Sequence, residues 1–205
     1  MKIIAHVIST VFQPLLMSFY SVVLLFIYTY FGLVFFVRFV PIVLPALLFS
    51  FAVPAIAIFL LYKFRLISDL SLKRRGERFR PYVVTLLSNG FMIYYYYNMG
   101  MPRWFLMLAA SAVAVMLAAI IITLWWKISA HLFGIGSVIG GAMSVCYFVE
   151  QANPYFMFMG LFIIAGLIGT SRLILRRHTP LQVYAGFLLG FIISFTFVWI
   201  GAPVR

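Results

Sequence analysis

The sequence predicts an all-α membrane protein, a polytopic helix bundle with six to seven transmembrane helices in a single domain over residues 1–205. Two observations support this prediction. Hydrophobic residues make up 66% of the chain and charged residues only 9%, which is too little polar surface for a soluble domain of this length. The apolar residues also fall into long runs, each close to the length that crosses a bilayer as a helix.

Seven apolar runs are candidate transmembrane spans. In chain order they are Leu15–Val37, Pro41–Tyr62, Tyr82–Tyr97, Trp104–Trp126, Leu132–Val149, Tyr155–Thr170 and Leu181–Ile200. The third run is short for a span, and its tyrosines at 94–97 are typical of a membrane interface. Pro41, Pro45 and Pro54 fall in the second run, so we expect bends there that neighbouring helices accommodate.

The N-terminal residues, the single cysteine and the charge limit what kind of membrane protein this can be. Residues 1–10 have no small-residue cleavage site after a short apolar core, so we expect them in the mature protein and not as a signal peptide. Cys146 is the single cysteine, which excludes an internal disulfide. The cations behind the net charge of +12 lie beside apolar runs, so we expect partners among membrane lipids and not nucleic acid. The location that we expect is a plasma membrane, such as the inner membrane of a bacterium.

Three polar segments interrupt the apolar runs at residues 73–81, 127–131 and 171–182, and two of the three histidines lie in them. They follow the second, fourth and sixth runs, so counting the crossings places all three on one side of the membrane, together with the N-terminus. Most lysines and arginines fall on that side, and those predicted on the other side are Arg38, Arg103 and Arg205. The positive-inside rule would make the side of the polar segments cytoplasmic.

The first two polar segments contain residue types that bind phosphate. Lys73 and Arg80 are spaced to return to nearly the same face of a helix, where Lys offers a point charge and Arg a bidentate fork. Ser129 is a candidate N-cap of the fifth span, whose free backbone N–H groups can receive an anion beside His131. A simpler alternative stays open, since basic loops signal topology and histidines at membrane boundaries are often only interfacial.

The third polar segment predicts the start of a helix, with a candidate reactive histidine directly before it. Thr179 and Gln182 are spaced as a capping box, and Pro180 occupies the first helical position. His178 then precedes a helix N-terminus, where the helix dipole favours negative charge. Two histidines beside fixed cations suggest that one attacks phosphorus, the other protonates the departing oxygen, and the cations stabilise the equatorial oxygens. With only 3 acidic residues in the chain, we expect no metal and no cofactor.

These segments resemble the type 2 phosphatidic acid phosphatase superfamily, whose signatures are Lys-x6-Arg-Pro, Pro-Ser-Gly-His and Ser-Arg-x5-His-x3-Asp. Residues 73–81 fit the first signature in full. Residues 128–131 keep the Ser and His of the second, with Ile for Pro and Ala for Gly. Residues 171–182 fit the third, except that Gln182 replaces the Asp. The resemblance covers about residues 61–190, which we take as the phosphatase-like core.

The resemblance implies a metal-independent enzyme that hydrolyses a phosphomonoester or pyrophosphate of a membrane lipid. It implies that His178 is the nucleophile that becomes phosphohistidine and that His131 is the acid for the leaving alkoxide. The implied phosphate ligands are Lys73, Arg80, Ser129, Arg172 and, as a weaker member, Ser171. Gln182 stands where the family has the Asp that orients the nucleophilic imidazole.

Gln182 leaves two other functions open. An amide can accept the imidazole N–H but brings no charge, so the chain is alternatively a weak or inactive binder or transporter of lipid phosphates. Asp69 and Glu77, both at the first polar segment, are the acids that could substitute for the carboxylate missing at position 182. A third alternative is a helical scaffold component with coincidental polar loops. The side of the membrane also stays open, because members of the family commonly place their site on the extracytoplasmic face.

Overall fold

The computed structural model describes residues 1–68 and 79–203 as helices, turns and short connections without a β-strand, so the predicted all-α bundle is confirmed. The α-helices are α1 (Lys2–Val11), α2 (Met17–Tyr28), α3 (Tyr30–Val34), α4 (Phe39–Leu47), α5 (Val53–Lys63), α6 (Phe79–Asn98), α7 (Arg103–Trp125), α8 (Ala130–Ser144), α9 (Tyr155–Ile174) and α10 (Pro180–Gly201). Short 3₁₀ turns occupy Pro14–Leu16 and Phe36–Arg38, and π-helical turns occupy Leu48–Ala52 and Val145–Glu150.

Six helical stretches within the described residues are long and apolar enough to cross a membrane, which supports an integral membrane protein. They are Lys2–Tyr28, Phe36–Lys63, Arg103–Trp125, Ala130–Glu150, Tyr155–Ile174 and Pro180–Gly201. The 20-residue α6, which corresponds to the short third run, is not among them. Its Ser88 and Asn89 lie buried within the bundle and lower the apolar content of the helix.

The predicted bounds of the first span, Leu15–Val37, are wrong. The first stretch long enough to span begins at Lys2 and ends at Tyr28. Thr29 has extended backbone angles (φ −130°, ψ 165°), and its hydroxyl accepts a hydrogen bond from the backbone N–H of Phe31 at 3.3 Å. This cap ends one helix and starts the short α3, although the surrounding residues are uniformly apolar.

The helices run from one end of the bundle to the other, and contacts identify the two ends. At the first, which we call the glutamate end, the Tyr30 N–H donates to a Glu150 carboxylate oxygen at 2.6 Å, and the rings of Phe31 and Trp104 lie 5.5 Å apart. At the second, which we call the histidine end, the carbonyl of Ser9 meets the imidazole of His131. The starts of α8 and α10 and the end of α9 therefore share the histidine end.

Glycines bring α8 and α10 into backbone contact along their length. A Cβ at Gly136 would overlap the carbonyl oxygen of Phe187, and a Cβ at Gly140 would overlap that of Phe191. On the facing helix, a Cβ at Gly190 would overlap the Phe133 carbonyl oxygen. Small residues at this spacing allow membrane helices to approach closely. The close, parallel packing fixes the first turns of α8 and α10 side by side.

The second run is interrupted next to Pro54 by a π-helical turn, a feature that commonly bends helices, and a neighbouring helix accommodates the interruption. The run divides into α4, a π-helical turn and α5, with Pro54 in the first turn of α5. Proline has no N–H to donate to the preceding turn, which leaves a carbonyl oxygen without its usual helical partner. The hydroxyl of Ser88 in α6 donates to the Phe49 carbonyl at 2.6 Å in that turn. A hydroxyl from a neighbouring helix thus supplies a hydrogen bond that the bent helix lacks.

Candidate functional site

His131 lies in the first turn of α8 and is tied to the N-terminal helix. Ser129 is the N-cap residue, as predicted, although its hydroxyl makes no capping hydrogen bond. Nε2 of His131 lies 3.0 Å from the backbone carbonyl oxygen of Ser9 in α1. A carbonyl oxygen can only accept, so Nε2 carries a hydrogen and donates it. The second ring nitrogen, Nδ1, is then the one that can face another group.

His178 immediately precedes the N-cap of α10, and Gln182 holds its imidazole. The capping box predicted for Thr179 and Gln182 is present, with the Gln182 amide oxygen accepting the Thr179 N–H at 3.2 Å. The same oxygen lies 3.1 Å from Nδ1 of His178. Because the oxygen already accepts from the backbone, it accepts from Nδ1 as well, and the neutral imidazole then carries its lone pair on Nε2. Gln182 therefore caps the helix and orients His178 with one atom.

The second and third polar segments meet at the histidine end. A Cβ at Gly186, in the second turn of α10, would lie 3.0 Å from the carbonyl oxygen of Ser129 at the start of α8. One turn before Arg172, a Cβ at Gly169 would lie 3.4 Å from Val183 of α10 and would contact α8 as well. The three helix termini that carry these side chains are therefore packed directly against one another. The structure thus brings the start of α8, with His131, against the helix ends that carry Arg172 and His178, which lie much later in the sequence.

Three buried polar atoms at the histidine end have no hydrogen-bond partner within the described residues. They are Oγ of Ser9, Oγ of Ser129 and Nε of Arg172. The side chains of Ser9 and Ser129 are 8% and 0% exposed. Buried polar atoms in folded proteins are almost always paired, and each exception requires an explanation. Two hydroxyls and a guanidinium nitrogen beside a histidine suit a ligand with several acceptor oxygens, which is the chemistry of phosphate.

The remaining predicted phosphate ligands are placed differently. The Ser171 hydroxyl donates to the Leu167 carbonyl at 2.7 Å, so its hydrogen bonds within α9 and is not directed to a ligand. Arg80 is exposed at the start of α6, where Nη1 donates to the Leu66 carbonyl at 2.9 Å. Lys73 lies outside the described residues, as do the two acids Asp69 and Glu77.

Ser9 is the site residue that the sequence motifs miss. It belongs to an N-terminal helix that contributes to none of the three polar segments, and its contact with His131 joins residues 122 positions apart. The signal that could have identified Ser9 is its position on a strongly amphipathic helix. Ala5 and Ser9 are the two buried residues of α1. Residues four apart share one face of a helix, which places Ser9 on the face that packs against the bundle.

A large cavity lies at the glutamate end, away from both histidines. Its volume is about 1020 Å³, and its walls are Met143, Cys146, Tyr147, Phe148, Gln151, Ala152, Asn153, Phe158, Trp199, Ile200, Ala202 and Pro203. No cationic side chain is among these described lining residues, so the cavity is unsuited to phosphate. The candidate site therefore rests on the unpaired polar atoms of the histidine end and not on cavity volume. Within residues 1–68 and 79–203, no three His, Cys, Asp or Glu side chains are grouped so as to hold a metal ion.

Comparisons of the chain with protein-family models, with curated proteins and with solved structures found no match. Any assignment of function therefore depends on the chemistry of the side chains at the histidine end.

Proposed function

We propose that the chain is a lipid phosphatase similar to the type 2 phosphatidic acid phosphatases, which releases phosphate from a lipid phosphomonoester or pyrophosphate without a metal ion. One observation carries the proposal most directly. The helix ends that carry His131, Arg172 and His178 pack against one another at one end of a membrane-spanning bundle. A lipid with its chains between the helices would present its phosphate at this depth.

The proposed first step transfers the phosphoryl group to His178. The Nε2 lone pair attacks phosphorus while the bond from phosphorus to the lipid oxygen breaks. Once the phosphate anion is bound and offsets the charge of the neighbouring cations, His131 is protonated on both nitrogens. It gives the Nδ1 proton to the departing oxygen, because its Nε2 proton is donated to the Ser9 carbonyl. The step leaves a phosphohistidine on the enzyme. It releases a lipid alcohol from a phosphomonoester, or a lipid monophosphate from a pyrophosphate.

The second step returns the enzyme to its starting state. Water attacks the phosphorus of the phosphohistidine, the bond to Nε2 breaks, and His131 accepts a proton from the water at Nδ1. Inorganic phosphate leaves, and both histidines regain their original protonation. Arg172 and Ser129 stabilise the charge on the equatorial oxygens in both steps. Lys73 and Arg80 complete the proposed set of phosphate ligands.

Phosphate release by the purified protein tests the proposal. The substrates are phosphatidic acid, phosphatidylglycerophosphate, a polyprenyl pyrophosphate and lipid A in detergent micelles, with free phosphate as the readout. We expect release from at least one of them, loss of that activity in His178→Ala, and inhibition by orthovanadate. His6→Ala is the matched control, because His6 is an exposed histidine on α1. Equal activity in His178→Ala and the unaltered protein would rule out the phosphohistidine route.

A second candidate function is the binding or transport of lipid phosphates without turnover. The observation in its favour is that the oxygen orienting His178 belongs to a neutral amide, which does not offset positive charge on the imidazole. Binding of the lipids to the purified protein without release of phosphate would support this function. Retention of function after joint exchange of Lys73, Arg172 and His178 would instead indicate a scaffold.

A further inference from the structure

The N-terminal helix forms one wall of the candidate site. α1 packs mainly against α9, the helix that carries Arg172. Ser9, in the last turn of α1, is 8% exposed, and its carbonyl oxygen accepts the Nε2–H of His131 at 3.0 Å. None of the three polar segments contains this residue. The contact places the end of α1 against Nε2 of the imidazole and leaves Nδ1 for another group.

The hydroxyl of Ser9 differs from those of Thr10, Thr85 and Ser171, and it shares with the Ser144 hydroxyl of α8 the lack of a hydrogen-bond partner within the described residues. Serine and threonine inside helices commonly donate to the carbonyl four residues earlier. Thr10 does so to His6 at 2.9 Å, Thr85 to Pro81 at 2.8 Å and Ser171 to Leu167 at 2.7 Å. Oγ of Ser9 is buried and has no partner within the described residues. Leaving a buried hydroxyl unpaired is unfavourable, and a ligand that accepts its hydrogen would remove that cost.

We infer that Ser9 is a phosphate ligand and a positioning residue of the candidate site, an inference that rests on the proposed function. Its hydroxyl donates to a phosphate oxygen from the side of α1, while Ser129 and Arg172 bind from α8 and α9. Its carbonyl holds the Nε2–H of His131, which directs Nδ1 toward the leaving oxygen. Side chains from three helices thereby contact the phosphate, and α1 contributes one of its ligands.

Binding of inorganic phosphate and of orthovanadate to the purified protein in micelles tests this inference. A hydrogen bond to a charged group contributes about 1.5–3 kcal/mol, so we expect Ser9→Ala to weaken the affinity at least about tenfold. Ser9→Thr keeps the hydroxyl and should stay within about threefold of the unaltered protein. Thr10→Ala is the matched control, because it removes a neighbouring hydroxyl that is exposed and already paired within α1, and it should leave the affinity unchanged.

Thermal unfolding of the same variants separates a binding role from a structural one. Weaker binding by Ser9→Ala, with an unfolding temperature close to that of Thr10→Ala, would support the inference. A lower unfolding temperature with unchanged binding would overturn it, since Ser9 would then only pack α1 against the bundle. Weakened binding in Arg172→Gln but not in Ser9→Ala would overturn the inference and leave the proposed function standing. Failure of the unaltered protein to bind either anion or to release phosphate would overturn both.

Discussion

Gln182 shows how one side chain can serve two purposes at a helix start. Its amide oxygen accepts from the Thr179 N–H and from Nδ1 of His178, so it orients the ring as a carboxylate would. An amide does not, however, offset the positive charge that the imidazole acquires when it binds phosphorus. In the serine-protease triad, exchange of the orienting carboxylate for an amide costs about 10⁴ in rate.

The exchange of Gln182 for a carboxylate is therefore expected to accelerate turnover. We predict that Gln182→Asp raises kcat at least about tenfold, because a charged partner stabilises the imidazolium as it forms. Gln182→Ala should lower kcat, since it removes the orienting oxygen together with one half of the capping box. Initial rates of phosphate release measure both effects, and thermal unfolding checks that Gln182→Asp remains folded. A folded Gln182→Asp variant with an unchanged rate would contradict the need for charge at this position.

At the residue scale, the sequence predicts the local features of a helix start better than it predicts contacts between distant residues. The expected N-cap position of Ser129 and the capping box of Thr179 and Gln182 are present, because both depend on local spacing. The bond between Ser9 and His131 is beyond sequence reasoning, because it depends on how helices distant in sequence pack. The bond of the Ser171 hydroxyl is local, to the carbonyl four residues earlier, but the sequence does not show whether a helical hydroxyl bonds in this way or to a ligand.

Among the elements, the pair α8 and α10 matters most, because it positions both histidines. We predict that Gly140→Ala lowers the unfolding temperature, since its Cβ would overlap the Phe191 carbonyl oxygen and force the helices apart. Overpacking of this kind costs about 1–3 kcal/mol. Binding of orthovanadate should weaken in the same variant, because the site lies at the ends of these helices.

Gly166→Ala provides the matched control for this variant. Gly166 is exposed on α9, and a Cβ there would meet nothing within 4 Å. Alanine favours a helix over glycine by about 1 kcal/mol, so this variant should be as stable as the unaltered protein or more so. Equal unfolding temperatures for Gly140→Ala and Gly166→Ala would show that the close approach of α8 and α10 does not limit stability.

The bend between α4 and α5 gives a second prediction about an element. We expect Ser88→Ala to destabilise the protein by about 1 kcal/mol, because the Phe49 carbonyl loses the hydroxyl that satisfies it in an apolar medium. Unfolding in a denaturing detergent measures the change. Asn98→Ala is the control on the same helix, since the exposed Asn98 amide bonds only to its own helix at Tyr94 and should matter less. An equal effect of the two substitutions would count against a special role for Ser88.

For the whole molecule, the sequence predicts the crossing pattern well and the lengths of the helices less well. Counting crossings places the second and third polar segments and the N-terminus together, and the contact between Ser9 and His131 agrees with this count. The helices alternate between the two ends as the count predicts because α6 crosses the bundle, although it is not among the six stretches apolar enough to span. The cap at Thr29, a local feature, sets where the first crossing ends. The first polar segment, with Lys73, lies outside the described residues, so its predicted place in the site stays a prediction.

The orientation of the bundle can be measured by chemical labelling of single cysteines. In a Cys146→Ser background, Lys127→Cys and Asn98→Cys place exposed thiols at the histidine end and the glutamate end. The positive-inside rule predicts that a membrane-impermeant maleimide labels Lys127→Cys only from the cytoplasmic side and Asn98→Cys only from the other. The reverse pattern would place the site on the extracytoplasmic face. Labelling of both from one side would contradict the assignment of the two ends.

The parallel alignment of α8 and α10, held at close range by glycines, has an energetic consequence for the whole bundle. Each helix start carries a partial positive charge, and two such starts packed together repel. A phosphate seated between them would turn that repulsion into attraction from both sides. Occupancy of the site should then hold the bundle together more firmly, so that the protein unfolds at a higher temperature when inorganic phosphate is present.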